Sequence, residues 1–326
     1  MSIVYSSHYN MGLFGLEKLH PFDTKKFARA WSLLEQELGA TLAGWHVEVD
    51  RPITDEEMLA VHTADHLLRM RDSHALAKAF EIPAVSLLPF SLIDSGFLHP
   101  MRWATRGSVI AARQALRQGL SINLGGGFHH AKPDRAEGFC LFSDIALIVA
   151  QLRADGSIQL ESRIAYVDLD AHQGNGVCHQ FLQDARTFIF DMYNEAIYPT
   201  SDLVAQDRID CRVPVPIGCE GEYYLEQLKA RLPAFLDSIT RSGDVALAIY
   251  TAGTDVFAGD DLGMLALSAA DVLERDQFVV DQLRQRQLPT VMLLGGGYTS
   301  ESHRLIATST KAILQRHGRQ RRSSQE

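Results

Sequence analysis

Four cysteines in 326 residues, Cys140, Cys178, Cys211 and Cys219, form neither a C-x-x-C pair nor a regular framework, so a disulfide-stapled scaffold is not expected and all four read as reduced thiols. Positive charge is scarce too. Lys and Arg number 31 against 40 Asp and Glu, a net charge of −9, which leaves no basic field to attract nucleic acid or an anionic membrane. No apolar run approaches the ~20 residues that span a bilayer, and the opening Met1-Ser-Ile-Val-Tyr5 is too polar and too short for a secretory signal. A cytoplasmic protein that does not insert into membranes is therefore expected. The chain also lacks internal repeats, low-complexity linkers and any compositional break that would force a second domain.

Its composition, 46% hydrophobic and 22% charged, is enough to bury one large core. Short apolar runs alternate with amphipathic helical segments, the pattern of an α/β domain whose mainly parallel sheet is covered by helices on both faces. Strands are expected at Ile3–Tyr5, Ser121–Leu124, Ile164–Asp170, Thr187–Phe190, Val245–Tyr250 and Thr290–Leu294. Asp23 is expected to cap a helix carrying Phe27, Trp31, Leu34 and Leu38 and stopped by Gly39, and Thr54-Asp-Glu-Glu57 has the form of a capping box. The stretch from Pro83 to Pro100, spotted with Pro and Gly, reads as an inserted loop. One catalytic domain over 1–314 is expected, with the basic end at 315–326 a solvated, frayed tail.

Four expected strands run straight into unusual polar sequence: Gly125-Gly-Gly-Phe-His-His130, Asp168-Leu-Asp-Ala-His172, Ala252-Gly-Thr-Asp255 and Gly295-Gly-Gly-Tyr298. In open α/β sheets, ligands bind at that edge. Neither glycine triplet has G-x-G-x-x-G spacing or a following G-K-[ST], so neither is a nucleotide loop. In an extended backbone alternate side chains share a side, so Asp168, Asp170 and His172 can point one way, a geometry suited to gripping a divalent cation. Asp170, His172 and Asp255 would offer two oxygens and one nitrogen and leave open positions, as a catalytic metal site requires; zinc suits this donor set and Fe(II) is admitted by it. His129 and His130 are candidates for proton transfer, and Tyr298, on a flexible glycine turn, for hydrogen bonding to a developing oxyanion. Together they suggest metal-assisted hydrolysis of an amide.

At these residues the chain resembles the zinc-dependent histone deacetylase family, in particular its class IV branch and the related bacterial lysine deacylases. The resemblance rests on Gly126-Gly-Phe-His-His130, Glu137-Gly-Phe-Cys140, Asp168-Leu-Asp-Ala-His-Gln-Gly-Asn-Gly176, Asn194 to Pro199 and Ala252-Gly-Thr-Asp-Val-Phe-Ala-Gly-Asp260. The opening Ile3-Val-Tyr-Ser and Met11-Gly-Leu-Phe-Gly-Leu-Glu-Lys-Leu-His-Pro-Phe-Asp23 are similar to class IV. It implies the arginase/deacetylase fold and an acyl-lysine protein or peptide as substrate, with acetyl or a long fatty acyl chain removed. It further implies zinc held by Asp170, His172 and Asp255, carbonyl polarisation by Tyr298, and His130 as general base and acid. His129, paired with Asp168, is implied as an orienting partner. Gly138, Phe139 and Tyr198 correspond to the substrate tunnel; Asp168, Asp170 and His172, with Asp191, correspond to a structural potassium site.

Two departures stand out. Many family members carry an aspartate where this chain has Asn175, the group that orients the second histidine; an amide oxygen still accepts a hydrogen bond but brings no charge. The related arginases need additional carboxylates at positions aligned with Gly174 and Gly253, so a two-metal ureohydrolase is disfavoured. Deacetylation of an acetylpolyamine or another small amide, and acyl-lysine binding without cleavage, are the alternatives. A polyamine site would need an acidic mouth, and Asp94 is the only acid in the Pro83 to Pro100 stretch. Among the other groups, His62 and His66, lacking the Glu of H-E-x-x-H, read as an exposed helical pair, and Cys140 as a small buried thiol. His20, His46, His74 and His99 belong to no constellation.

Overall fold

The computed structural model describes residues 1–12 and 23–318. Most of the Met11–Asp23 motif, His20 and the end of the basic tail lie outside the described residues. Among the described residues, eight strands form one sheet: β1 (Ser2–Val4), β2 (His46–Val47), β3 (Leu120–Asn123), β4 (Arg163–Asp168), β5 (Thr187–Asn194), β6 (Cys211–Val215), β7 (Val245–Thr251) and β8 (Thr290–Leu293). Their order is β2-β1-β3-β8-β7-β4-β5-β6, and every pairing is parallel. A parallel sheet must be covered on both faces, which is why Ile164 to Val167 and Leu247 to Tyr250 are fully buried, apolar and unalternating.

Helices flank the sheet. The helix Lys26–Leu38 packs on Ser302–His317, that on Ala269–Gln285, and that on Gly221–Arg241; the 20-residue helix His99–Gln118 lies against β1, β3 and β8 and packs on Asp144–Ala154. Among the described residues, no helix is long and apolar enough to cross a membrane. All four cysteines are free thiols.

The six expected strands are present, with every end within four residues of its expected place, and two more complete the sheet. The segment β2 is only two residues long, and β6 carries Pro214 and alternates exposed with buried residues, as tolerated on an edge. The capping box at Thr54 is formed in both directions: Thr54 Oγ1 accepts the Glu57 N–H at 3.3 Å and Glu57 Oε2 accepts the Thr54 N–H at 2.9 Å. Gly39 stops the first long helix at φ 52°. Asp23, however, does not cap that helix. Its carboxylate accepts the Lys25 N–H at 3.1 Å, and the helix opens one step later, at Lys26.

The stretch from Pro83 to Pro100 is helical rather than a loop. A 3-10 turn at Pro83–Leu87, a helical turn at Phe90–Ile93 and a π turn at Asp94–Leu98 run into His99–Gln118. Pro83 opens its 3-10 turn, where the missing N–H would have had no intrahelical partner anyway; Pro100 directly follows the π turn inside continuous helical backbone, and Gly96 O accepts the Gly12 N–H at 3.0 Å instead of an intrahelical donor.

Candidate active site

The polar motifs leave the carboxyl ends of β3, β4, β7 and β8, which are neighbours at the centre of the sheet although β4 is far from β7 and β8 in sequence. That is where the strand order reverses, and the loops part to form a crevice. Asp168 closes β4; Asp170 and His172 follow it; Asp255 comes from the loop after β7. Asp170, His172 and Asp255 converge, one ligand atom from each lying within 4.8 Å of the others. All three are buried, and His172 Nδ1 lies 3.2 Å from Asp170 Oδ1 and 2.9 Å from Asp255 Oδ2.

Their surroundings are built from backbone. Gly296 N–H donates to Asp170 Oδ2 at 2.6 Å, and Ala171 N–H to Asp255 Oδ1 at 2.9 Å. A Cβ on Gly295 would approach Asp170 Oδ2 to 2.6 Å, and one on Gly296 to 2.8 Å, so only glycine lets the turn close around the carboxylates. Burial, then the charge of Asp170, raises Asp255 to about 7. Burial disfavours charge on His172 as well, yet its hydrogen bonds to Asp170 and Asp255 outweigh this and raise it to about 10. Two buried carboxylates crowding one imidazole are the donor chemistry of a divalent cation such as zinc, and the three residues fit one.

His129 and His130 arrive on the turn after β3. Asp144, itself buried, holds that turn by accepting the Gly127 and Phe128 N–H groups, each at 2.9 Å, and the Ser108 hydroxyl at 2.6 Å. His129 Nδ1 lies 2.8 Å from Asp168 Oδ2, which also accepts the Tyr166 hydroxyl at 2.6 Å. Burial works against its charge, but Asp168 and Asp170 outweigh that and raise His129 to about 9. The His130 ring is 4.1 Å from that of His129, and its Nδ1 lies 2.8 Å from Asn175 Oδ1. Burial, then the charges of His129 and His172, depress His130 well below its ordinary value. The histidines are thus driven apart in proton affinity, one charged and one neutral at pH 7.

Tyr298 faces His172 with ring centroids 5.9 Å apart. Its N–H donates to Asp260 Oδ2 at 2.8 Å, and the Lys26 ammonium, buried beneath the turn, donates to Gly295 O at 2.9 Å and Gly297 O at 3.3 Å. Gly297 takes φ 132°, and a Cβ there would run into Thr254 Oγ1. Burial, then the charges of Asp170 and Asp255, push the Tyr298 phenol well above 10, so it stays a protonated donor.

Gly138 and Phe139 follow one another in left-handed conformation, φ 52° and 64°, and a Cβ on Gly138 would meet the His130 ring. The Phe139 ring lies edge-on to Tyr298 at 6.2 Å; Tyr198 lies edge-on to His130 at 5.1 Å and donates its hydroxyl to Glu137 Oε2 at 3.0 Å. An apolar cavity lined by Met11, Phe27, Phe80, Phe97, Met101 and Phe128 reaches His129, His130 and Tyr298. Asp94 is elsewhere, in a cleft with Arg71 and Arg102.

Asp191 pairs with Asp168 in the β4–β5 register and is buried, with Oδ2 accepting the Gly174 N–H at 3.0 Å and Oδ1 lacking a partner among the described residues. At Gly174 a Cβ would stand 2.5 Å from Asp168 Oδ2, and at Gly253 it would collide with the Asp170 carboxylate, so neither position has room for a further ligand.

His62 and His66 are not an exposed pair. Both are buried, with rings 4.7 Å apart; His62 Nε2 accepts the Ser143 N–H at 2.9 Å, and His66 Nε2 donates to Leu141 O at 2.9 Å. They pin the segment after Cys140, whose thiol burial pushes up and keeps inert. Sequence reasoning gave no role to Lys26, Asp144 or Asp260, since a lone polar residue acquires its meaning only from what the fold brings to it. Lys26 alone carried a signal, standing next to Phe27 at the start of an apolar helical stripe.

Known proteins resemble this chain in sequence and in fold. The histone deacetylase domain model matches residues 20–314. Histone deacetylase 2 of Arabidopsis thaliana is 38% identical over 96% of this chain and 78% of its own length. Histone deacetylase 1 of Homo sapiens is 27% identical over 78% of this chain and 53% of its own. The crystal structure of the HDA15 HD domain superposes with a TM-score of 0.72 over 97% of this chain and 90% of that one, at 21% identity, and so shares the fold. With the domain model spanning nearly the whole of it and the ligand triad, paired histidines and tyrosine gathered at one sheet edge, this chain belongs to the histone deacetylase family.

Proposed function

We propose that this chain is a zinc-dependent amidohydrolase that removes acyl groups from the ε-amine of lysine in a protein or peptide. The observation that carries the proposal is the convergence of Asp170, His172 and Asp255 within 4.8 Å opposite two histidines and a tyrosine delivered by other strand ends. Bound there, zinc would supply Lewis acidity, which lowers the pKa of water from ~15.7 to about 7 and polarises a carbonyl; Fe(II) is served by the same donors.

The chain's own groups do the rest. His130, kept neutral by burial and by the charge of His129, takes a proton from the attacking water at Nε2, because Nδ1 is committed to Asn175. His129, charged beside Asp168, orients its neighbour and favours departure of the amine. The Tyr298 hydroxyl donates to the oxyanion as it forms. Gly138, Phe139 and Tyr198 wall the passage of the acyl-lysine stem, where a backbone carbonyl accepts the substrate amide hydrogen. The apolar lining by Phe27, Phe80, Phe97 and Met101 suits a hydrocarbon acyl group, and the cavity's volume of about 50 Å³ has the room of an acetyl group, so a long fatty acyl chain requires the cavity to widen. The unpartnered Asp191 Oδ1 beside Asp168 supports a structural potassium ion held by backbone and side-chain oxygens around Asp168, Asp170, His172 and Asp191.

The test is turnover of matched acetyl-, octanoyl- and myristoyl-lysine peptides, with acetylspermidine as the small-molecule control, before and after chelation. Hydrolysis of a lysine peptide that disappears with chelator and returns with zinc is expected. Preference for acetylspermidine would overturn the substrate class, and tight peptide binding without turnover by the metal-loaded protein would overturn the enzymatic reading.

A further inference from the structure

The amide of Asn175 faces His130 on one side and a compact ionic cluster on the other. Asn175 Nδ2 donates to Glu137 Oε2 at 3.1 Å and to Asp202 Oδ2 at 3.5 Å. Lys132, almost fully buried, joins the same two carboxylates at 3.1 and 2.7 Å; Arg135 pairs with Glu137 at 2.9 Å and His179 with Asp202 at 2.9 Å. On the other side, Asn175 Oδ1 lies 2.8 Å from His130 Nδ1 and accepts the Gly176 N–H at 3.0 Å.

An amide can be turned end for end, and here the two orientations have opposite chemical consequences. With the oxygen toward His130, the imidazole must carry its proton on Nδ1, and Nε2 is left as the base. Turned over, the amide would aim a donor at Nδ1, force the proton onto Nε2 and set Oδ1 against two carboxylate oxygens. From this geometry we infer that Glu137 and Asp202 are positioning residues: acting through Asn175, they fix the tautomer of His130 that can accept a proton from water.

The inference rests on the role given to His130 under the proposed function. Carboxylates one residue removed thereby do what a carboxylate in contact with the histidine would do. Lys132 and Arg135 are what permit them to stand together: two cations balance two charges that would repel each other, whereas an aspartate at position 175 would add a third.

The experiment compares wild type, the double variant Glu137→Gln/Asp202→Asn, and the triple variant that adds Asn175→Asp, all zinc-loaded. These substitutions preserve size, and the amide placed at position 202 retains an oxygen to cap the helix that follows. Long-range proton–nitrogen spectra of 15N-histidine protein read the His130 tautomer, and kinetics separate kcat from KM. In wild type a single Nδ1–H form is expected. In the double variant that form gives way to a mixture and kcat falls by about 10-fold or more with KM little changed. In the triple variant a carboxylate, which can only accept, restores both.

A double variant with the wild-type tautomer and kcat overturns the inference, and so does a triple variant as poor as the double, since general loosening of the site would not be repaired by moving a charge. Should the double variant fail to fold, Glu137→Gln alone, at a partly exposed position, gives the same readings. Wild-type kcat in His130→Ala would instead strike the role of His130, leaving the tautomer measurement to decide the inference by itself.

Discussion

Tyr298 reaches the ligand triad on a turn that only glycine can make, gripped by Asp260 at its own N–H and by Lys26 at the carbonyls on either side of Gly296. So much structure devoted to aiming one phenol is intelligible if the hydroxyl acts where charge develops rather than where substrate merely rests. Replacing Tyr298 with Phe removes one donor and leaves the turn intact, because the anchoring bonds are made by backbone. The expected outcome is a fall in kcat of about 10²–10³-fold, or roughly 3–4 kcal/mol of transition-state stabilisation, with KM nearly unchanged. Steady-state kinetics on an acyl-lysine peptide decide it, and a kcat near wild type would remove Tyr298 from the chemistry. No such partition is expected for Cys140, whose thiol burial keeps protonated.

At the scale of elements, apolar runs located the six central or long strands because a parallel sheet buries both faces and so writes itself as uninterrupted Val, Ile, Leu and Ala. The edges escaped for the same physical reason: β2 makes only two pairings with β1, and β6, with Pro214 and exposed Arg212, obeys edge rules instead. The helical stretch from Pro83 to Pro100 was hidden because proline at the first positions of a helix looks the same in sequence as proline in a loop. His62 and His66 show the limit most plainly, since their spacing says nothing of which face the fold will cover. Burial, then the charge of His66, lowers His62 from 6.5 to about 3, and burial lowers His66 too. A histidine whose folded value is depressed stabilises the fold above pH 6.5, where both states are neutral, and loses that stability as the pH falls from 6.5 toward 3 while the unfolded chain takes up protons. The cost is roughly 1.4 kcal/mol per group for each unit below 6.5. His62→Gln, which keeps an acceptor for the Ser143 N–H, should therefore lose about 1 kcal/mol less than wild type between pH 7.5 and 5.5. Urea unfolding at the two pH values measures this, and equal losses in both proteins would show that His62 is not the acid-sensitive element.

Across the whole molecule, the site was legible because four separate strand ends each terminate in groups that are costly to bury, and a parallel sheet brings such ends to one edge. What could not be read was the supporting cast, Asp144, Asp260, Lys26 and the Glu137–Lys132–Asp202 cluster, because ordinary acids and lysines carry no mark of the partners that tertiary structure assigns them. The arrangement also links the site to the stability of the fold. Asp170 and Asp255, from the loops after β4 and β7, are tied to the backbone of the loops after β4 and β8 through Ala171, His172 and Gly296, so an ion that relieves their mutual repulsion would hold β4, β7 and β8 together at their open ends. A ligand that binds only the folded state stabilises it by RT ln(1 + [L]/Kd), about 2.7 kcal/mol at 100 times Kd, which for a chain of this length raises Tm by roughly 4 °C. Zinc should produce a shift of that order and a chelator should abolish it, while Asp255→Ala should show no shift. Protons compete for the same atoms: with Asp255 raised to about 7 and His172 to about 10, binding must release protons. The shift is therefore expected to be larger at pH 8 than at pH 6 at equal free zinc. Thermal melts at the two pH values test both points, and an undiminished zinc shift in Asp255→Ala would mean that the ion stabilises the fold from some other place than the triad.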